Sequence, residues 1–296
     1  MIKVKRLGHA TIATPDLDAQ VDYYGRLLGL TVIERSKDRV FLASKQGLEA
    51  IELVKGKPND LKHVSFQIAP GTDLGDVVKE LGNIGIKAER RKDVSPGVAD
   101  AVTLEDPKGT PIDLYAEYKF AKRDETPNIF NILKLGHVAY RVLDVQQIVK
   151  FYSEVLGFRV SDWRGDFFVF MRCNTDHHTV NFIRGNNIKM HHMAFELKDF
   201  IHLQNSCDLF GQRKIPIIWG PLRHGPGHNI ATYHRNPDDQ VIEFFCELDK
   251  MVDENLGYFE PRPWHQDTPQ RPKTWQGGKT NVWGPPPTPD FHRARD

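Results

Sequence analysis

The chain has 296 residues, with 40 lysines and arginines against 39 aspartates and glutamates. That length suits about two ordinary domains, and the near-zero net charge offers no basic field for nucleic acid. No run approaches the roughly 18 apolar residues of a membrane span, and three cysteines (Cys173, Cys207, Cys246) are too few and scattered for a disulfide framework or a cysteine-based zinc site. A cytoplasmic, reduced protein with neither a membrane nor a nucleic-acid partner is therefore expected.

Residues 1–16 alternate polar and apolar and read as a strand around Gly8-His9, not as a leader. An amphipathic helix follows, capped by Asp16, with the stripe Leu17, Val21, Tyr24 and Leu28 and a C-terminal Gly29. Short strands are predicted at 30–35, 39–44 and 49–54, then a strand at 61–69, a helix at 73–83 and strands near 86–91, 101–105 and 111–116. The pattern then begins again. Leu7-Gly8-His9 falls on Leu135-Gly136-His137, and Asp16, Tyr24, Leu28 and Gly29 fall on Asp144, Tyr152, Leu156 and Gly157. With small drift, His63-Val-Ser-Phe matches His192-Met-Ala-Phe, and Ile112-Asp113 matches Ile242-Glu243. The second copy repeats strands at 158–163, 166–171, 177–184 and 190–197, a helix at 199–210, and strands at 214–219, 228–235 and 240–248. The chain thus reads as an α+β protein of two tandem modules, 1–129 and 130–250, each of paired βαβββ units with mostly antiparallel sheet. Residues 251–296 are rich in proline and charge but carry Trp264, Trp275, Trp283, Phe259 and Phe291, too many aromatics for a solvated tail. They are expected to form an extended arm packed on the body.

Among 13 histidines, two of the second module form a pattern with Glu243. His137, His192 and Glu243 lie on three predicted strands, and alternation sends each to the face opposite the apolar Val138, Met193 and Ile242. Two neutral imidazoles and one carboxylate on one side of a cation leave other positions open, which suits Fe(II) meeting a substrate and dioxygen together. Small neighbours at Ala139 and Ala194 leave room beside it. His177, His224 and Tyr233 are further polar candidates; Tyr233 lies across the Asn236-Pro-Asp-Asp turn from Glu243.

The motifs LGHVAY, DHHTVNF, MHHMAFEL and GPLRHGPGHNIATYHRNPDDQVIEFF, on a duplicated module, resemble the type I extradiol catechol dioxygenases of the vicinal oxygen chelate superfamily, over essentially residues 1–250. The resemblance implies curved, barrel-like sheets, a first module without catalysis and a second holding non-haem Fe(II), or occasionally Mn(II). By position it implies the ligands His137, His192 and Glu243 and the acid/base residues His177, His224 and Tyr233; the following Thr179 and strand phase favour His177 over the adjacent His178, and the match to His63 favours His192 over His191. It implies a homo-oligomer that inserts both atoms of O2 into a catechol, giving a hydroxymuconic semialdehyde-type product. Trp219 stands where relatives that cleave arylacetate catechols tend to carry arginine, which points to a neutral alkyl or aryl substituent. In the first module His9, His63 and Asp113 take the ligand positions but Thr103 and Val94 replace the acid/base pair, so a duplication remnant is expected there. Two other classes stay open: a glyoxalase-like isomerase or lyase, and a non-catalytic small-molecule binder of the same fold.

Overall fold

The computed structural model describes residues 2–277 and 280–292. The first module runs β1 (Val4–Thr14), α1 (Leu17–Val21), β2 (Thr31–Arg35), β3 (Arg39–Ala43), β4 (Glu49–Lys55), β5 (Asn59–Ile68), α2 (Leu74–Asn83), β6 (Ala88–Ser95), β7 (Val98–Glu105) and β8 (Pro111–Tyr115). The second runs β9 (Ile132–Val142), α3 (Val145–Glu154), β10 (Arg159–Arg164), β11 (Phe168–Arg172), β12 (Val180–Arg184), β13 (Lys189–Leu197), α4 (Phe200–Gln212), β14 (Trp219–Arg223), β15 (Ile230–Arg235) and β16 (Val241–Cys246). The arm adds β17 (Met251–Asp253), β18 (Tyr258–Phe259), β19 (Lys273–Trp275) and a last turn, α5 (Pro289–His292). Among the described residues no helix is long and apolar enough to cross a membrane.

The two modules share one topology. The first sheet has strand order β2-β3-β4-β1-β5-β8-β7-β6, and the second β14-β15-β16-β13-β9-β12-β11-β10-β19. In each, an antiparallel central pair (β1 with β5, β9 with β13) joins two βαβββ halves, and each half closes through a parallel pairing. The sheets curl into half-barrels, so side chains on the concave face converge. Helices α2, α3 and α4 cover the convex faces, each started by an aspartate (Asp73, Asp144, Asp199) whose carboxylate accepts a first-turn N–H.

Two local readings differ from the sequence expectation. The first helix is α-helical only over Leu17–Val21 and continues as a wider π-helical turn at Asp22–Leu27. That turn buries Tyr23 as well as Tyr24, and the Tyr23 hydroxyl shares a 2.5 Å hydrogen bond with His234 Nε2 of the second module. The strand expected at 214–219 lies instead at Trp219–Arg223, because Pro216 has no N–H for a ladder and pairing begins beyond it.

The modules are pinned by buried contacts. Phe66 meets Tyr152 and Phe158 edge-on, the Tyr152 hydroxyl donates to Asp106 (3.0 Å), and Ile2 and Val4 donate backbone bonds to Val155 and Leu156. Phe66 is fully buried. Phe66→Ala is expected to cost about 3–5 kcal/mol, read as a lower urea midpoint.

Candidate active site

The ladder registers place the site. Tyr233 on β15 stands opposite Glu243 on β16, Glu243 beside Ala194 on β13, and Ala194 opposite His137 on β9. These four residues form one row across four strands and share a face. His192 lies two residues from Ala194, on the same face. Ala194 has only a methyl group, so the longer side chains on either side lean over it and meet. Gly136, before His137, is required by a neighbour: a Cβ there would stand 2.4 Å from the ring of Phe245.

His137, His192 and Glu243 do meet. Nε2 of His137 lies 3.1 Å from Nε2 of His192, and Oε2 of Glu243 lies 3.2 and 3.1 Å from the two nitrogens. All three residues are buried. Asn229 Nδ2 donates to the other carboxylate oxygen, Oε1, at 2.9 Å and so aims Oε2 at the histidines. Burial disfavours a charged His137 and lowers its pKa. Burial also opposes ionisation of Glu243, but His137 and His192 together hold its carboxyl well below the usual range. Two imidazole nitrogens and a carboxylate oxygen at such spacing fit one small divalent cation, whose donors stand about 2.1 Å away and roughly at right angles. The three residues therefore suit the metal expected of them.

They sit in the wall of a cavity of about 940 Å³. His224 and Tyr233 also line it, with Trp219 stacked on Tyr233 (5.2 Å, 22°). The His224 ring is set by its partners. Its Nδ1 lies 3.1 Å from the Thr280 carbonyl, which can only accept, so Nδ1 carries hydrogen. Nε2 then presents a lone pair, to which the Tyr233 hydroxyl donates at 2.7 Å. Burial brings the His224 pKa down to about 4 and, with Glu243 nearby, pushes the Tyr233 phenol well above its ordinary value. Both groups are neutral near pH 7.

His177 is not brought to the cavity, which corrects the sequence expectation. Its Nε2 hydrogen-bonds Asp162 Oδ2 (3.1 Å) and its ring packs on Phe259. The residue lining the cavity is His178, whose ring centroid lies 4.3 Å from that of His137. The cause is local: β12 begins only at Val180, so residues 177–179 are irregular and strand alternation cannot be extended back through them. Nδ1 of His177 and Nδ1 of His178 are 3.0 Å apart. Asp162 accepts from His177 Nε2–H, which leaves His177 Nδ1 to accept from His178 Nδ1–H, and His178 Nε2 is then free for the cavity. Burial and the neighbouring His137 and His177 push the His178 pKa well below its usual value.

The arm is part of this construction. Asp162 also accepts from the Lys273 amide (2.8 Å) and Trp275 Nε1 (2.7 Å), while β19 adds to the edge of β10. Thr280, Pro286, Pro287 and Phe291 line the cavity, and Phe291 packs on Tyr233 and His191. His228 and His265 flank Asp249, each on its own oxygen (2.7 and 3.0 Å), and tie the arm to the loop before β15. Sequence reasoning passed over Asn229, Asp162, His178 and Thr280. Asn229 had a signal, since alternation already places it on the face of Tyr233; Asp162 and Thr280 become visible only when the arm is seen against β10 and His224.

In the first module the corresponding side chains are paired off separately, and among the described residues they do not gather as a cation site. His9 Nδ1 binds Glu49 (2.6 Å), His63 pairs with Asp113 (3.1 Å), and Asp113 also accepts from Thr103. Burial opposes a charged His9, yet Glu49 raises its pKa on balance. The donors there are spent on one another.

The model of the glyoxalase/bleomycin resistance protein/dioxygenase superfamily matches residues 6–114 and 134–244, and the chain belongs to that superfamily. A 1,2-dihydroxynaphthalene dioxygenase of Sphingobium xenophagum is 26% identical over 265 residues, covering 82% of this chain and 89% of that protein. An extradiol ring-cleaving dioxygenase from B. fuscum superposes with a TM-score of 0.84 at 25% identity, over 99% of this chain and 82% of that one. A Mn(II)-bound glyoxalase from Novosphingobium aromaticivorans has the same fold, with a TM-score of 0.87 at 22% identity over 100% and 96% of the two chains. The relatives named for a reaction on aromatic diols are extradiol dioxygenases.

Proposed function

We propose that this protein is an extradiol, meta-cleaving catechol dioxygenase that uses Fe(II), with Mn(II) as the alternative, and yields a hydroxymuconic semialdehyde-type product in aromatic catabolism. The observation that carries the reading is the buried triad His137, His192 and Glu243 opening onto a cavity that also presents Tyr233, His224 and His178. A divalent metal held by the triad would supply adjacent open positions for a diol and dioxygen and would acidify the diol.

The chain's own residues do the rest. Tyr233 and His224 take one side of the diol; the hydroxyl of Tyr233 holds a ring oxygen while His224 Nε2 fixes that hydroxyl. His178 Nε2 receives a proton from the diol and returns it to the oxygen side. His177 and Asp162 keep His178 in the tautomer that makes this possible. Phe170, against His178 (5.3 Å), and the arm's Phe291 and prolines exclude water from the reacting ring. The modules end near 129 and 250 in this reading, and the assembly is a homo-oligomer, measurable by light scattering.

Reconstitution without oxygen using Fe(II) or Mn(II), followed by a panel of catechols on an oxygen electrode, tests the proposal. Oxygen uptake matched to a yellow ring-fission product is expected; no uptake with either metal would defeat it and favour the glyoxalase-like reading. Tyr233→Phe is expected to retain metal while kcat falls by about 10²-fold or more. An unchanged single-turnover rate would remove Tyr233 from the mechanism.

A further inference from the structure

The cavity extends past the triad along strands whose registers are explicit. One row across the sheet joins Ala139 on β9, Asn181 on β12 and Phe170 on β11. The next row on the same face joins Arg141, Ile183, Phe168 and Arg164, from β9 through β12 and β11 to β10. All four of that second row line the cavity. Arg141 follows His137 by four residues on one strand face, about 13 Å along the strand. The row is therefore apolar in its middle, with Phe168 stacked on Phe170 (4.3 Å, 29°), and has a guanidinium at each end. Both guanidinium-bearing ends of the row line the one cavity.

Neither guanidinium is neutralised within the protein. Among the described residues Arg141 and Arg164 make no ion pair and no side-chain hydrogen bond, whereas the nearby Arg184 is held by Asp166 (3.0 Å). Arg164 is half-buried, its guanidinium 5.9 Å from the Phe167 ring, and burial lowers its pKa with no carboxylate to offset it. Among the lining residues the single carboxylate is Glu243, at the opposite end. An arginine held at an apolar wall without a partner is a site for an anion.

We propose that Arg141 and Arg164 form a carboxylate subsite, so that the substrate is a catechol bearing an acidic group on its end remote from the diol. This rests on the ring-cleavage reading for the diol end and reverses the neutral substituent expected from Trp219. Trp219 is taken up in stacking on Tyr233 and in a tilted contact with Phe291, and the anion's seat is on β9 and β10 instead. The body of the substrate lies along Phe170 and Phe168, between the triad and the arginines.

The test is calorimetry without oxygen on the Fe(II)-loaded protein, comparing 3-(2,3-dihydroxyphenyl)propanoate with its amide. The acid is expected to bind about tenfold tighter or better, as a charge-assisted bond allows. The ratio should fall with salt, fall toward one in Arg141→Leu with Arg164→Leu, and be partly kept in Arg141→Lys. Using the ratio removes any general loss of affinity in the variants. Equal binding of acid and amide, no binding of either, or a ratio unchanged in the double variant would overturn the subsite. Oxygen uptake with unsubstituted catechol separates the two ideas: uptake without discrimination sinks only the subsite, and arginine-dependent discrimination without uptake sinks only ring cleavage.

Discussion

Replacing His192 with alanine is expected to abolish both metal retention and ring cleavage while leaving the fold intact. His192 Nε2 closes a triangle with His137 and Glu243 whose sides are 3.1–3.2 Å. Without it the remaining imidazole and carboxylate form a two-point site, and a cation binds such a pair weakly against water. The loss of affinity should exceed the roughly 10–100-fold typical of removing an outer partner. Asn229→Ala supplies that milder comparison, because it removes only the amide that orients Glu243, and about 10–100-fold weaker metal binding is expected. Metal content after dialysis and circular dichroism measure both. A His192→Ala protein that keeps one equivalent of iron and cleaves catechols would refute the ligand set.

The second large effect separates two adjacent histidines. His178→Phe is expected to keep the metal but lower the single-turnover rate by about 10²–10⁴-fold, the loss typical of an acid/base group. His177→Phe removes the partner that fixes the His178 tautomer, not the group in the cavity. Its effect should be smaller, about tenfold, and should alter the pH profile of turnover more than its maximum. Rapid-mixing kinetics under one turnover read both. A larger loss in His177→Phe than in His178→Phe would return the role to His177.

This pair also shows where the sequence was legible. The duplication carried most of the fold, because Gly-His, the Asp cap and the closing glycine recur in one register and each anchors a strand or helix boundary. The triad was readable for the same reason: its members lie within regular strands, where period-two alternation assigns a face. His178 was missed because alternation was extended into residues 177–179, which precede the strand. The π-helical turn at Asp22–Leu27 was hidden because Tyr23 and Tyr24 both suit burial, and only the cross-module bond to His234 explains why both are inside. The arm residues that bond Asp162 and His224 are more than 50 positions away, 113 for Trp275 on Asp162 and 56 for Thr280 on His224, a separation no local pattern encodes. The unpartnered Arg141 and Arg164 become visible only once four strands are in register.

The most direct measurement is turnover of a catechol by the Fe(II)-loaded protein under 18O2, with mass spectrometry of the ring-opened product. The account predicts two heavy oxygen atoms in each product molecule, less any exchanged with water, and one O2 consumed per ring opened. An intact ring, or a product formed without oxygen uptake and without label, would contradict it.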